Sequence, residues 1–539
     1  MWGVDYVTDR ALPLLANLVP KLRLPDKTLN LDGELQGRLQ LTETRILHYN
    51  APRAVHSQLV EPNRFHWTLD NLNITTLSKV AGFVIFMGLR YDVNGEVHSL
   101  LDRSSFNLVA SIERTMFDKL SIHPSNCTVS TLNRDIQLKN AGIMELFFNL
   151  MKPDLLNKLQ PSMDRFTCEV LESTVYDRIN YRLSILPVEL SFLELKTFSI
   201  KDYLTGRSYS AMLKSLRQTS WTRTTSFPDF SVIANYTTNE NPIDLTTTWR
   251  QFSEKINNLY LNFGVLSAPT VTKNRFIEFP LRGECLAEAY DRYSTPLLAP
   301  AVPSANRNVT KRMVQFVVTD YVVNTLLYHA YRRNHFTTRF DRTDFGNLMK
   351  TNCTMDGIAI CIGDLFPELA AQYADHTVQL RLTAKRAPAV ILKNNGKISA
   401  LSQFLVLVHV LPIGDGADQR DAFVLALDVV ANTSVHLNFS GNKFTGTASM
   451  TDFVVVVQKS RLDEYKPGEE LQMQALAIAA FAERTLNEVL QNGLPLPLPD
   501  AVTLNNSELR ILEYRAELST DFIISDNLLA DVVQLIMLD

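Results

Sequence analysis

Leu486-Asn487-Glu488-Val489-Leu490-Gln491-Asn492-Gly493-Leu494-Pro495-Leu496-Pro497 reads as the end of a helix followed by a segment that cannot be helical. Upstream, Leu471, Ala475, Ile478, Ala482, Leu486 and Val489 recur at spacings of 4, 3, 4, 4 and 3, which puts them on one helix face. Gly493 can adopt the left-handed conformation that ends a helix, and Pro495, Pro497 and Pro499 lack the N–H that a continuing helix needs.

Before this helix the period changes to strands, predicted at Val378 to Thr383, Ala389 to Leu392, Ser402 to Leu411, Phe423 to Val430, Val435 to Phe439 and Asp452 to Gln458. A helix from Tyr321 to Arg333 opens this half, with Thr319 or Asp320 as its cap. The first half follows the same plan. Val4, Val7, Ala11, Leu14 and Leu18 form an apolar helix face, with Pro13 predicting a kink near Leu12. Strands follow between Leu35 and Glu113, among them Phe65 to Ile74, Val80 to Tyr91 and Phe106 to Glu113. Residues 140–182 return to helical spacing, with Pro153 and Pro161 predicting separate pieces. Residues 200–250, rich in Thr, Ser and Asn, read as an inserted surface segment. Helix, meander, helix therefore occurs twice. The order predicts an α+β protein of two similar modules, 1–275 and 311–539, joined by a linker and central-sheet region at 276–310.

The whole chain has 539 residues, 46% hydrophobic and 20% charged, which is ample for two cores. Its net charge is −4, and residues 1–300 carry 32 basic against 31 acidic groups, so no cationic field attracts nucleic acid. No run of apolar residues reaches the ~18 needed for a membrane span. Asp5, Asp9 and Arg10 interrupt the start, which does not read as a signal peptide. Asn-x-Ser/Thr sequons at Asn73, Asn235, Asn308, Asn432, Asn438 and Asn505, with Cys-containing ones at Asn126 and Asn352, favour a secretory route and an extracellular protein. Catalytic signatures are missing: there is no Gly-x-Ser-x-Gly, no His-Glu-x-x-His and no phosphate-cradling Gly-Lys-Ser/Thr loop. The ten histidines are scattered without metal-ligand spacing, so neither an enzyme nor a metal cofactor is expected.

The Leu-Asn run, glycine and Pro-Leu-Pro ending at 486–497 closely resemble one family, that of bactericidal/permeability-increasing protein, lipopolysaccharide-binding protein, and phospholipid and cholesteryl ester transfer proteins. Thr319-Asp320-Tyr321 with Asn324, Gly363-Asp364-Leu365-Phe366-Pro367-Glu368-Leu369, and Gly3-Val4-Asp5-Tyr6 with Leu24-Pro25-Asp26 resemble further family motifs in the same order. The resemblance implies a boomerang of two modules, each a twisted antiparallel sheet wrapped on long helices, joined by a central sheet. Each module would offer an apolar tunnel for phospholipid or neutral lipid. Burying a methylene is worth about 0.8 kcal/mol, so long acyl chains need a dry channel and no catalytic group.

Helix faces nominate Val4, Val7, Ala11, Leu15, Tyr321, Val322, Leu326, Leu471, Ile478 and Leu486 as tunnel walls, although each would serve equally as ordinary core. The resemblance also implies a Cys127–Cys168 disulfide and leaves Cys285, Cys353 and Cys361 without counterparts. The tail from Asp526 to Leu538 resembles the C-terminal helix of the cholesteryl ester branch, with Leu528, Leu529, Val532, Val533 and Ile536 on its apolar face. It would be capped by Asp526 or Asn527, and would either cover a tunnel mouth or pack on its own barrel. The implied partners are lipids, membranes or lipoprotein particles. Lipopolysaccharide is the alternative, disfavoured by the 15 basic and 15 acidic groups of residues 1–150. The insert carrying Lys214, Arg217, Trp221 and Arg223 reads first as a solvated loop, with a membrane contact as the alternative.

Overall fold

The computed structural model describes residues 2–22, 24–31, 35–52, 54–86, 88–173, 178–196, 254–273, 275–289, 295–303, 312–342, 346–352, 361–411, 422–463, 469–496, 498 and 501–538. The predicted insert at 200–250, Cys353 and the sequons at Asn235 and Asn308 lie outside them. Among the described residues every strand ladder is antiparallel, and the fold is α+β.

Helix α1 (Trp2–Leu18) leads into β1 (Lys27–Leu31), β2 (Leu35–Asn50), β3 (Ala54–Val60), β4 (Arg64–Phe86), β5 (Leu89–Arg114) and β6 (Leu120–Lys139). These strands form one sheet in the order β1-β2-β4-β5-β6, with β3 on the far part of β4. Strands this long stay in one sheet only by bending. Register shifts interrupt the ladders beside Glu43, Asn71 and Arg103, each with positive φ (51°, 62° and 49°). Such bulges bend a strand and increase its twist. Val80 to Tyr91, expected as one strand, is instead the β4–β5 hairpin, turning at Gly88 with φ 78°.

Residues 143–173 form a single helix, α2 (Ile143–Ser173), which runs through Pro153 and Pro161 without ending. Tertiary bonds outweigh the proline penalty. The Cys127–Cys168 disulfide ties α2 to β6, and the ion pairs Lys152–Asp135, Arg134–Asp164 and Lys27–Glu169 add three more links to the sheet. Helix α1 is likewise continuous through the exposed Pro13. Leu31, Val80, Val84, Val93 and Leu138 pack with Met144 and Phe148 of α2, so one end of this module is solid core.

Short elements follow: α3 (Asn180–Ile185), β7 (Glu189–Ser191), α4 (Phe192–Lys196), β8 (Tyr260–Asn262), β9 (Thr270–Thr272), β10 (Phe276–Glu278) and β11 (Glu284–Leu286). The second half comprises β12 (Val314–Thr319), α5 (Asp320–Arg332), β13 (Thr337–Phe340), α6 (Ile362–Leu365), α7 (Pro367–Gln372), β14 (Thr377–Ala384), β15 (Ala389–Lys393), β16 (Lys397–Leu411), β17 (Ala422–Ser440) and β18 (Lys443–Ser460). It closes with α8 (Glu469–Asn492), β19 (Leu494–Pro495), β20 (Val502–Leu512), β21 (Arg515–Ile524) and α9 (Asp526–Leu538). The stretches 423–430 and 435–439, expected as two strands, are the single β17, whose pairing with β18 shifts register between Asn432 and Thr433. Thr319 sits at the cap of α5 without a side-chain capping bond; Asp320 Oδ2 instead reaches the Leu392 N–H at 3.5 Å.

The Gly363–Leu369 motif supplies the plug of this module. Ile362, Phe366 and Leu369 pack with Val378, Val408, Val410, Val424, Leu425, Leu427 and Ala475 in its largest buried cluster. A Cβ at Gly363 would stand 1.9 Å from the Thr351 carbonyl oxygen, so this approach admits only glycine.

Three asparagines act as substitutes for a neighbouring strand. Asn180 of α3, Asn324 of α5 and Asn487 of α8 each accept from the N–H and donate to the C=O of one strand residue. Those residues are Ile122 (2.7 and 2.8 Å), Val390 (2.8 and 2.8 Å) and Ala448 (2.7 and 2.8 Å). Glu483, one turn before Asn487, accepts from the Met450 N–H. Two asparagines of the resembling motifs, Asn324 and Asn487, are therefore sheet-edge fasteners. Asn487→Ala should destabilise by about 2 kcal/mol, the cost of leaving a half-buried peptide group unpaired. Urea denaturation measures this, and a loss below ~0.5 kcal/mol would mean water replaces the amide.

Candidate functional site

The three-stranded sheet β12-β21-β20 lies where the halves meet. On one side Leu509, Ile511, Ala516 and Leu518 pack on β15 and β17 through Leu392, Val435 and Phe439. At the Phe522 end α1 arrives: Tyr6 meets Phe522 edge-on, with ring centroids 5.6 Å apart. The approach is close because Gly3 has no side chain; a Cβ there would lie 3.2 Å from the Met313 carbonyl oxygen.

Helix α9 continues directly from β21, and its placement is the most informative feature of the site. Ser525 caps it, through Oγ to the Leu528 N–H at 3.3 Å, in place of the expected Asp526 or Asn527. The helix lies against α1, with Arg10 Nη2 of α1 3.1 Å from Asp526 Oδ1. Arg10 Nη1 also donates to the Ile524 carbonyl (3.2 Å) and to the Tyr6 hydroxyl (2.8 Å). At the other end Arg182 of α3 donates to the Leu535 carbonyl, at 3.4 Å. A C-terminal helix is thus held at both ends by arginines of the N-terminal half. Leu529 and Leu535 are buried, while Leu528, Val532 and Val533 are half-buried; the Ile536 side chain lies outside the description. On α1, Val4, Val7, Ala11 and Leu15 are all half-buried.

The nominated residues of the second half go to different places. Tyr321 is buried over β11, where burial first, and then the charge of Glu284 and a hydrogen bond to it, push its phenol upward from its ordinary pKa. Val322 accompanies it, its Cγ2 lying 3.2 Å from where a Gly283 Cβ would be, and its carbonyl accepts from the Cys285 thiol. Burial raises that thiol's pKa to about 12, so Cys285 stays protonated and inert. Leu326 is half-buried on the same helix. Leu471 packs on the plug cluster, and Ile478 and Leu486 are half-buried along α8. Cys361 is disulfide-bonded. Among the sequons, Asn438 and Asn505 are exposed, while Asn73 and Asn432 are half-buried, with Asn432 Nδ2 directed at Asp452.

Helix periodicity overlooked polar groups on the inner face of the N-terminal sheet. Above its solid plug this face carries the hydroxyl pairs Thr44–Ser78 (2.9 Å), Thr76–Ser99 (2.8 Å) and Ser104–Thr131 (3.0 Å), and the Arg134–Asp164 ion pair. The strand alternation that would have revealed them is scrambled by the bulges at Glu43, Asn71 and Arg103. Arg10 and Arg182 were also overlooked. The only signal in the sequence was the i, i+4 spacing of Tyr6 and Arg10. Among the described residues there is no His/Cys/Asp/Glu cluster fit to hold a metal, and no helix long and apolar enough to cross a membrane.

The chain is similar to known proteins over most of its length. The bovine (Bos taurus) lipopolysaccharide-binding protein is 21% identical over 516 residues, covering 94% of this chain and 89% of that protein. The rat (Rattus norvegicus) bactericidal permeability-increasing protein is 24% identical over 246 residues, or 45% of this chain and 48% of its own. A crystal structure of lipopolysaccharide binding protein aligns with 97% of each chain at 16% identity and a TM-score of 0.44. The profile of the "LBP / BPI / CETP family, C-terminal domain" matches residues 254–524, half of the chain. With that match, and with the family's motifs serving as plug, edge fasteners and helix stop, the chain belongs to the LBP / BPI / CETP family.

Proposed function

We propose that this protein is an extracellular, non-enzymatic lipid carrier that holds phospholipid or neutral lipid by its acyl chains in two modules, 1–275 and 311–539. The observation carrying this reading is the placement of α9. It crosses from the C-terminal half onto α1 and α3, where an apolar helix serves as the cover of an N-terminal lipid chamber. The plugs at Val80–Met144 and Phe366–Val424 would close the module ends, leaving the half-buried apolar faces of α1 and α8 for acyl chains. Each chain methylene sheltered contributes about 0.8 kcal/mol.

Mass spectrometry of solvent extracts from natively purified protein tests the reading; near-stoichiometric phospholipid or sterol ester is expected, and an empty protein would refute it. Deleting residues 526–539 should slow neutral-lipid transfer between vesicles several-fold, whereas an unchanged rate would remove α9 from the mechanism.

Recognition of bacterial lipopolysaccharide is the second reading. It is favoured by the names of relatives that match 94% of this chain. The balanced charge of residues 1–150 weighs against tight electrostatic capture of lipid phosphates. Affinity for lipopolysaccharide that falls steeply with added salt would favour this second reading.

A further inference from the structure

The β5–β6 hairpin tip exposes two large apolar side chains, Met116 at 87% and Phe117 at 71%. A mobile tip could fold such residues back, but this one is fixed. Thr115 N–H donates to the Lys119 carbonyl (2.8 Å), and Thr115 Oγ1 accepts from the N–H groups of Phe117 and Lys119 (3.3 and 3.2 Å). Asp118 carries positive φ (59°) and bonds through its carboxylate to Arg114 and Arg282. Burial opposes ionisation there, but the two guanidinium groups prevail and hold the Asp118 carboxyl below its ordinary pKa. The Asp118 carbonyl accepts from the Val265 N–H at 2.8 Å, and Val265 pairs with Leu281. That second loop adds Leu266, Phe279 and Leu281, exposed at 36%, 44% and 44%.

The tip is also connected to α9. Lys119 Nζ donates to the Ser184 carbonyl of α3, and Arg182, two residues earlier on α3, holds the Leu535 carbonyl. Two residues of α3, a rise of about 3 Å, therefore separate the anchor of the tip from the anchor of α9.

We infer that Met116 and Phe117, with the Leu266–Phe279–Leu281 loop, form a docking surface for a phospholipid layer that sets the C-terminal end of α9 against that layer. The protruding shape suits insertion among acyl chains. Arg114 and Arg282, both partly exposed, share the single carboxylate of Asp118, and the excess positive charge suits the phosphate level just above. The assignment of α9 as a chamber cover rests on the function proposed above; docking of the tip does not.

Flotation with phosphatidylcholine vesicles, and with phosphatidylcholine–phosphatidylglycerol vesicles, tests the inference on the full chain. Wild type should float with both. M116S/F117S should bind at least about tenfold more weakly, with an unchanged melting temperature because both side chains are exposed. M116L/F117L should bind as wild type. Failure of wild type to float, or flotation of the serine variant undiminished, overturns the inference. Light scattering supplies the last outcome: a dimer in wild type that becomes a monomer in M116S/F117S would make the tip a self-association surface and overturn it too. Lipid content by mass spectrometry should be the same in wild type and M116S/F117S, so loss of docking and loss of carriage are read separately.

Discussion

Arg515→Ala should lower the unfolding free energy by about 3–5 kcal/mol, a large effect for a residue on a short sheet. Its partner Glu517 is fully buried at 0% exposure in the central strand β21. Arg515 Nε lies 3.1 Å from Glu517 Oε1, close enough for ion pairing although the angle falls short of a hydrogen bond. Gln315 Nε2 of β12 donates to Oε2 at 3.4 Å. Removing the guanidinium, whose side chain is 32% exposed, strands the fully buried Glu517 carboxylate, and that desolvation cost rather than the lost attraction dominates. The same logic predicts a partial rescue: adding Glu517→Gln to Arg515→Ala should recover more than half the loss. Urea titrations of the single and double variants give the coupling directly. A single-variant loss under ~1 kcal/mol would mean that water reaches Glu517.

The second large effect concerns the disulfide. Cys127→Ala with Cys168→Ala opens a loop with a sequence separation of 41, and loss of its chain-entropy constraint should cost about 4 kcal/mol. The loss should fall mainly on the N-terminal half, because the bond fastens α2 to β6. Hydrogen exchange across α2 and β6 localises it: faster exchange there, with β16–β18 unchanged, is expected. Uniform acceleration over both halves would mean that the two halves unfold as one unit.

The sequence showed most where a residue has one physical use. Gly493 and the prolines after it stop α8, and α8 ends at Asn492. Alternation and turn residues located most strands of the second half, though with clipped ends, because a ladder extends wherever a partner strand is available. Other readings failed for reasons outside the local chain. Pro153 and Pro161 should have broken a helix, yet α2 is continuous, since a disulfide and ion pairs to the sheet offset the lost backbone bonds. The site was less legible than the fold. Half-buried positions on α1 and α8 follow from periodicity, whereas Tyr321 and Val322 went to β11 because α5 presents that face to Cys285 and Gly283.

By itself the sequence determined the α+β class, the doubled helix–meander–helix order, the helix stop at Gly493 and the apolar face of the last helix. These depend on periods of a few residues and on the stereochemistry of glycine and proline, which act at short range. Only the tertiary structure decided where the last helix lies, which asparagines fasten sheet edges, and that Glu517 is sealed beside Arg515. Each of those brings together groups separated in the chain, and pairing across such distances is selected by the burial and hydrogen-bond satisfaction of the whole fold.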